Sequence, residues 1–182
     1  MCHPAVLEFG RRNLHRSDVA GKKVLEVGAY NVNGSLREKV LTMEPDAYLG
    51  VDLRAGPGVD EVCDAGQLIE RYGPESCDLV ICTEMLEHAA DWMTVCRNLK
   101  GVLRPGGVLL LTTRSPGFPW HEYPGDHWRF EPADLERIFG DLSIEALEPD
   151  PGEPGVFLRA RKPSGFRERD LSGLLVQEAE SG

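Results

Sequence analysis

The chain has 182 residues, enough for one domain with a proper core, and its 41% apolar and 27% charged content reads as soluble and globular. Its formal charge of −10 disfavours a large nucleic-acid partner, because phosphate backbones are gripped chiefly by Lys and Arg. No apolar run is long enough to span a bilayer, and Met1-Cys2-His3-Pro4 lacks the basic-then-apolar pattern of a secretory leader. Five scattered cysteines (Cys2, Cys63, Cys77, Cys82, Cys96) include no Cys-x-x-Cys pair. Neither a disulfide framework nor a metal site is expected, and a reducing cytoplasm is the simplest compartment.

Apolar spacing of Val6, Leu7, Phe9 and Leu14 predicts a helix over 4–16, broken by Asp18-Val19-Ala20-Gly21. Arg11, Arg12 and Arg16, with His15 among them, read as its solvated face. Lys23–Val27 is a first strand, ended by Gly28. A helix should start near Asn33 or Ser35, either of which can cap it, and end before Pro45. Strands follow at about 47–53 and 59–63, separated by the turn Ala55-Gly56-Pro57-Gly58. A short helix over 67–72 closes at Gly73-Pro74. Cys77–Cys82 is a strand, continuously apolar after its acidic start at Asp78, as a strand buried on both faces should be. Thr83–His88 turns into a helix over 89–100, and Pro105-Gly106-Gly107 leads to a strand over 108–113. After a long segment, Arg114 to Phe130, come a helix over 132–139 and an antiparallel pair, 142–147 with 156–160. Residues 1–162 form the expected domain. The remainder, 163–182, is a tail whose residues 171–178 could form a helix. Strands and helices alternating with short connections imply an α/β doubly wound sheet, mostly parallel.

Strand, glycine turn, helix is a unit that binds nucleotides at the carboxyl edge of such a sheet. Asp52, at the end of the second strand, is spaced to reach a ribose hydroxyl pair. A dinucleotide is disfavoured, because Gly-x-Gly-x-x-Gly is absent and Tyr30 holds its second glycine position. Leu25-Glu26-Val27-Gly28, Val51-Asp52, Cys63-Asp64-Ala65 and Leu103-Arg104-Pro105-Gly106-Gly107-Val108-Leu109-Leu110 resemble, in order, the motifs of class I S-adenosylmethionine-dependent methyltransferases, bacterial small-molecule type. The resemblance covers about residues 20–162. It implies a Rossmann-like methyltransferase fold: seven strands, helices on both faces, the last strand antiparallel. It also implies S-adenosyl-L-methionine as cofactor. By that likeness Gly28 approaches the methionine part, Glu26 helps order it, Asp52 takes both ribose hydroxyls, and Asp64 with Ala65 borders the adenine. Asn33, Leu53 and Thr83 complete the implied cofactor set. Taken singly, Glu26 could merely cap the turn, and Asp52 and Asp64 could be strand-end turn formers. Asn31 and Asn33 tolerate left-handed backbone and could stand in for glycine in the first turn.

Arg114 to Phe130 is too long and too rich in Pro for a plain connection, and it emerges at the ligand edge. It carries Phe118, Trp120, Tyr123, Trp128 and Phe130, five of the chain's thirteen aromatics, which suits a lid over a flat acceptor. Pro116, Pro119 and Pro124 would stiffen it. The string His121 to Phe130 resembles a segment of many bacterial small-molecule methyltransferases. An Asp126–Arg129 ion pair should pin it structurally. Methyl transfer to a hydroxyl needs a base. His121 is the leading candidate, ahead of His127, which could stack on Trp128, and His88, which reads as structural. The partner implied is a small-molecule acceptor, taken at oxygen: a sugar or a secondary metabolite. No membrane partner is implied, and the chain would be a monomer or homodimer. The Asp/Asn-Pro-Pro-aromatic signature of nucleic-acid amino-methylation is absent where Thr83-Glu84-Met85-Leu86 stands. A non-catalytic cofactor-binding scaffold of the same fold is the rival reading.

Overall fold

A computed structural model describes residues 3–121 and 125–180. In chain order the elements are α1 (Pro4–Asn13), α2 (Arg16–Val19), β1 (Lys23–Val27), α3 (Arg37–Leu41), β2 (Ala47–Asp52), β3 (Glu61–Val62) and α4 (Leu68–Tyr72). Then come β4 (Cys77–Thr83), α5 (Trp92–Val102), β5 (Leu103–Arg114), β6 (Trp128–Arg129), α6 (Pro132–Phe139), β7 (Ser143–Pro149), β8 (Gly155–Arg161) and β9 (Gln177–Glu178). Seven strands form one sheet in the order β3-β2-β1-β4-β5-β8-β7. β3, β2, β1, β4 and β5 run parallel, and β8 is antiparallel to both β5 and β7. The expected doubly wound sheet with an antiparallel last strand is therefore present.

Side chains alternate across a strand, so β4, central and buried, feeds two cores. Leu79 and Ile81 pack with Val6, Phe9, Leu36 and Val40 beneath α1 and α3. Val80 and Cys82 pack with Leu68, Val95, Leu99, Leu135 and Ile138 beneath α4, α5 and α6. The chain winds outward from β1 to β3 and then returns to β4. The order therefore reverses between β1 and β4, where ligands of open α/β sheets bind. Among the described residues no helix is long and apolar enough to cross a membrane.

Three local expectations need correction. The first helix stops at Asn13. Leu14 turns extended and is buried, and α2 starts afresh after His15, whose amide donates to Asp18 Oδ2 (3.4 Å). Arg159 and Arg161 hold Asp18 from β8, which keeps the second turn in place. The helix after β1 begins only at Arg37, because residues 30–36 are drawn into the loops described below. The tail forms no helix over 171–178. Leu174 and Val176 lean on the core while Leu175 is exposed, a period of two rather than 3.6. Gln177–Glu178 instead pairs antiparallel with Trp128–Arg129.

Candidate active site at the carboxyl edge of the sheet

β1 ends in Gly28 at φ +80°, and the amides of Gly28 and Ala29 both donate to the Val51 carbonyl (2.9 and 3.0 Å). A Cβ at Gly28 would lie 2.7 Å from Met85 Cβ and Cγ, so the glycine admits the turn after β4 as well as the sharp bend. Asn31 and Asn33 do not take left-handed backbone; in this loop Gly28 and Gly34 do. Asn31 serves the turn through its side chain, whose Oδ1 accepts from the Gly34 amide (2.8 Å). Asn33 is exposed on the same loop.

Glu26 is buried, and both oxygens are used: Oε1 accepts from Ser35 Oγ (3.2 Å) and Oε2 from Tyr48 Oη (2.6 Å). Burial raises its carboxyl above the ordinary value, against the lowering effect of those two hydroxyls and of Arg37. Glu26 thus underlies the loop after β1, tied to it through Ser35. At the end of β2, Asp52 Oδ2 accepts from the Tyr30 amide (3.1 Å) and Oδ1 from the Arg54 amide (3.4 Å). A carboxylate has roughly four lone-pair sites, so capacity remains for a diol. Leu53 beside it is an exposed large apolar side chain. Beyond β3, Asp64 Oδ1 caps a 3-10 turn through the Gly66 amide (2.7 Å), with the residue exposed and Ala65 half-buried behind it.

On the other side of the switch point, Thr83 is buried at the end of β4. Glu84 follows at φ +54°, a conformation costly for a non-glycine residue. It is held there by Thr112, whose Oγ1 donates to Oε1 (2.8 Å), and by an ion pair from Arg114 to Oε2. Burial, reinforced by the neighbouring Glu87 charge, pushes the Glu84 carboxyl up to about 7. Glu87 is fully buried and accepts from Thr113 Oγ1 (2.9 Å).

His88 and His121 meet here. Their Nε2 atoms are 3.4 Å apart and their rings pack edge to face. The His88 Nδ1–H donates to the Gly125 carbonyl and the His121 Nδ1–H to Asp126 Oδ2 (2.9 Å). Both acceptors fix the tautomers, leaving two Nε2 lone pairs facing one another. Burial lowers His88 from its ordinary value. With Glu87 they make a two-imidazole, one-carboxylate cluster whose polar atoms lie within 4.8 Å of each other. His127 lies outside this cluster, exposed. Its ring is beside Gly125, and its amide donates to the Glu87 carbonyl (2.9 Å).

The expected Asp126–Arg129 pair is present as a buried fork (2.5 and 2.6 Å). The flap aromatics do not act alike. Phe118 lies under the Arg114 guanidinium (4.0 Å), Trp128 Nε1 donates to the Ala89 carbonyl (2.8 Å), Phe130 is core, and Trp120 is exposed. Tyr123 and Pro124 lie outside the described residues. Flap residues Gly117 to Trp120, with Arg129, Gln177 and Glu180, line an open cleft of about 440 Å³.

Residues 34–111 match the family described as "Methyltransferase domain". A ubiquinone biosynthesis O-methyltransferase of Idiomarina loihiensis is 30% identical over 112 residues, covering 54% of this chain and 45% of that protein. Its counterpart in Pseudomonas aeruginosa is 32% identical over 117 residues, covering 56% and 49%. The chain spans about half the length of these curated relatives. An S-adenosylmethionine-dependent methyltransferase from Mesorhizobium loti superposes with a TM-score of 0.66 at 18% identity, covering 87% of this chain and 98% of that one. The Burkholderia thailandensis 1,6-didemethyltoxoflavin-N1-methyltransferase, solved with S-adenosylhomocysteine, gives 0.65 at 17% identity, covering 89% and 78%. The chain shares the fold of these two methyltransferases, and its middle segment, residues 34–111, is similar to the methyltransferase-domain family.

The edge is chemically suited to S-adenosylmethionine, on which the Mesorhizobium loti protein depends. The cofactor offers an ammonium, a sulfonium, a ribose diol and an adenine amine. It is rich in donors and positive charge, and the edge offers carboxylates at three successive strand ends: Glu26, Asp52 and Asp64. Sequence reasoning missed Tyr48, Ser35, Glu87 and Arg114. Only Tyr48 left a usable signal. It lies two residues before Gly50, the register partner of Glu26, and so on the same face of the neighbouring strand.

Proposed function

We propose that this chain is a class I S-adenosylmethionine-dependent methyltransferase and transfers the methyl group of S-adenosyl-L-methionine to a small-molecule acceptor, at oxygen. The observation that carries the reading is the arrangement about the β1/β4 switch point. The carboxylates of Asp52 and Asp64 flank the Gly28 turn on one side, and the paired imidazoles of His88 and His121 stand on the other. In this reading Asp52 takes the ribose diol, and Leu53, Asp64 and Ala65 border the adenine. Gly28, Asn33 and Thr83 line the methionine end, with Glu26 ordering the loop through Ser35. The bound cofactor supplies an electrophilic methyl group. The chain's task is to align the acceptor and keep water out. His121 would take the proton that the acceptor hydroxyl gives up. Asp126 holds His121 through Nδ1, and His88 can share the proton at Nε2. Transfer to oxygen is supported by the names of the relatives about 30% identical. A small acceptor is supported by the net charge of −10 and by the aromatic flap.

The test is formation of S-adenosylhomocysteine from S-adenosylmethionine against a panel of phenols, catechols and sugars. Turnover with any hydroxyl acceptor, lost in His121→Ala, supports the reading. Tight binding of S-adenosylhomocysteine without turnover on any acceptor would place the chain with the non-catalytic scaffolds.

A further inference from the structure

Tyr30 replaces a glycine of the usual first turn, and the loop after β2 is built around it. A Cβ on Gly56 would lie 2.1 Å from Tyr30 Cε2 and 2.7 Å from Cδ2, so the ring rests directly on the Gly56 backbone. The Arg54 guanidinium sits 5.6 Å from the ring centroid on the same loop. The Asn31 amide donates to the Pro57 carbonyl (2.8 Å). A Cβ on Gly58 would lie 2.5 Å from the Ala29 carbonyl oxygen, and one on Gly50 would lie 2.4 Å from the Gly58 oxygen. Gly56 and Gly58 are thus required by the close approach of one loop to the other, and Gly50 by the folding of the second loop back onto β2, not by turn geometry alone.

Asp52 stands where the two loops meet. One carboxylate oxygen accepts from the amide of Tyr30, the other from the amide of Arg54. The Tyr30 ring joins the two donating segments. We propose that Tyr30 is a positioning residue for ribose recognition: its amide and its ring together set the Asp52 carboxylate before the ligand arrives. The inference rests on the reading that Asp52 takes the ribose diol, and it adds the group that aims it. Orientation fixed in advance strengthens binding by removing an ordering cost from the binding step. Without the ring, residues 54–58 lose their anchor and the Arg54 amide its fixed place. Asp52 then has to be ordered by the ligand itself.

The experiment compares S-adenosylhomocysteine with its 2′-deoxy analogue by titration calorimetry on the full chain. The variants are Tyr30→Ala, Tyr30→Phe and Gly56→Ala, with Asp52→Asn as reference. Wild type should prefer the intact diol, and Asp52→Asn should lose that preference. Tyr30→Ala and Gly56→Ala should each weaken S-adenosylhomocysteine by roughly three- to tenfold while barely changing affinity for the deoxy analogue. Tyr30→Phe keeps the ring and the amide and should behave as wild type. Tyr30 is partly exposed on a loop, so these variants should melt close to wild type. If Tyr30→Ala weakens both ligands equally, or neither, the positioning role is overturned while Asp52 keeps its own. If wild type does not distinguish the ligands, the ribose reading itself falls and the inference with it.

Discussion

Arg129→Met tests whether the flap is pinned by charge. The Arg129 guanidinium and the Asp126 carboxylate are both buried, joined by two bonds of 2.5 and 2.6 Å. Removing the cation leaves Asp126, among the described residues, with His121 alone, through its amide (3.0 Å) and Nδ1 (2.9 Å). Breaking a buried pair from one side costs about 3–5 kcal/mol at neutral pH, capped by the free energy at which the flap opens on its own. The pH dependence follows in sign. In wild type, burial acts to raise Asp126, and the bonds from Arg129 and His121 outweigh it, so its carboxyl lies below the ordinary value. That stability is present above the unfolded pKa, roughly 3.9, and lost as pH falls through the lower folded value. In the variant burial is opposed by the His121 contacts without Arg129 and the pKa rises, so protonation relieves the strain. The deficit should therefore be large at pH 7 and shrink towards pH 4. Urea denaturation at both pH values reads the deficit, and exchange of the Trp128 indole proton, bonded to the Ala89 carbonyl, reads flap opening. A variant within about 1 kcal/mol of wild type at pH 7, with unchanged indole exchange, would show that packing and not the ion pair holds the flap.

Asp52→Ala should weaken S-adenosylhomocysteine by tenfold or more, for a lost charged hydrogen bond of about 1.5–3 kcal/mol; calorimetry giving wild-type affinity would remove Asp52 from the site. His121→Ala should lower turnover by roughly 10²-fold on any hydroxyl acceptor and leave S-adenosylhomocysteine affinity unchanged, and a variant with near-wild-type turnover is not missing its base. Glu26 is raised by burial, so its contribution to stability is present below the unfolded pKa, roughly 4.3, and lost as pH rises through the folded value. Glu26→Gln should accordingly lose less stability than wild type between pH 4 and pH 7, and parallel denaturation curves for the two would contradict a buried, raised carboxyl.

The sheet was legible because its signal is local. After the acidic start at Asp78, Leu79 to Cys82 is apolar without interruption, as a strand covered on both faces needs. Asp52 and Asp64 could be placed for the same reason, since one closes β2 and the other lies just beyond β3. What sequence could not supply was contact across long separations. His88 and His121 are 33 positions apart and meet because Gly125 accepts from His88 while the His127 amide reaches Glu87. The tail misled for a different reason. Leu171, Leu174 and Val176 suit a helical stripe or a strand about equally over so short a run, and the unpaired edge of the flap decided the matter. Asn31 and Asn33 show a third limit. Their tolerance of left-handed backbone was real but unused, because Gly34 was available and an asparagine oxygen could cap it.

The two halves of the site are held by different forces. On the proposed cofactor side, loops are stitched by backbone amides, by glycines that let one chain lie on another and by the half-exposed Arg37–Asp60 fork, and Glu26, with its two hydroxyl donors, is the buried carboxyl. On the acceptor side the links are buried ion pairs. Arg114 reaches Glu84 and also Asp150 (3.6 Å) and Glu153 (3.2 Å) before β8, and carries Phe118 of the flap on its face. Arg129 reaches Asp126, and β9 pairs with the flap from outside. Short-range packing confines a disturbance, whereas removing one partner of a buried pair leaves a charge that its neighbours must accommodate. Substitutions in the flap should therefore spread through the histidine pair and the C-terminal strand while S-adenosylhomocysteine affinity holds. Substitutions about Tyr30 should change that affinity and leave the flap's exchange rates alone. The β1/β4 switch point is then a mechanical boundary as well as a topological one, and an acceptor-side variant that loses cofactor affinity in proportion to its flap opening would show that no such boundary exists.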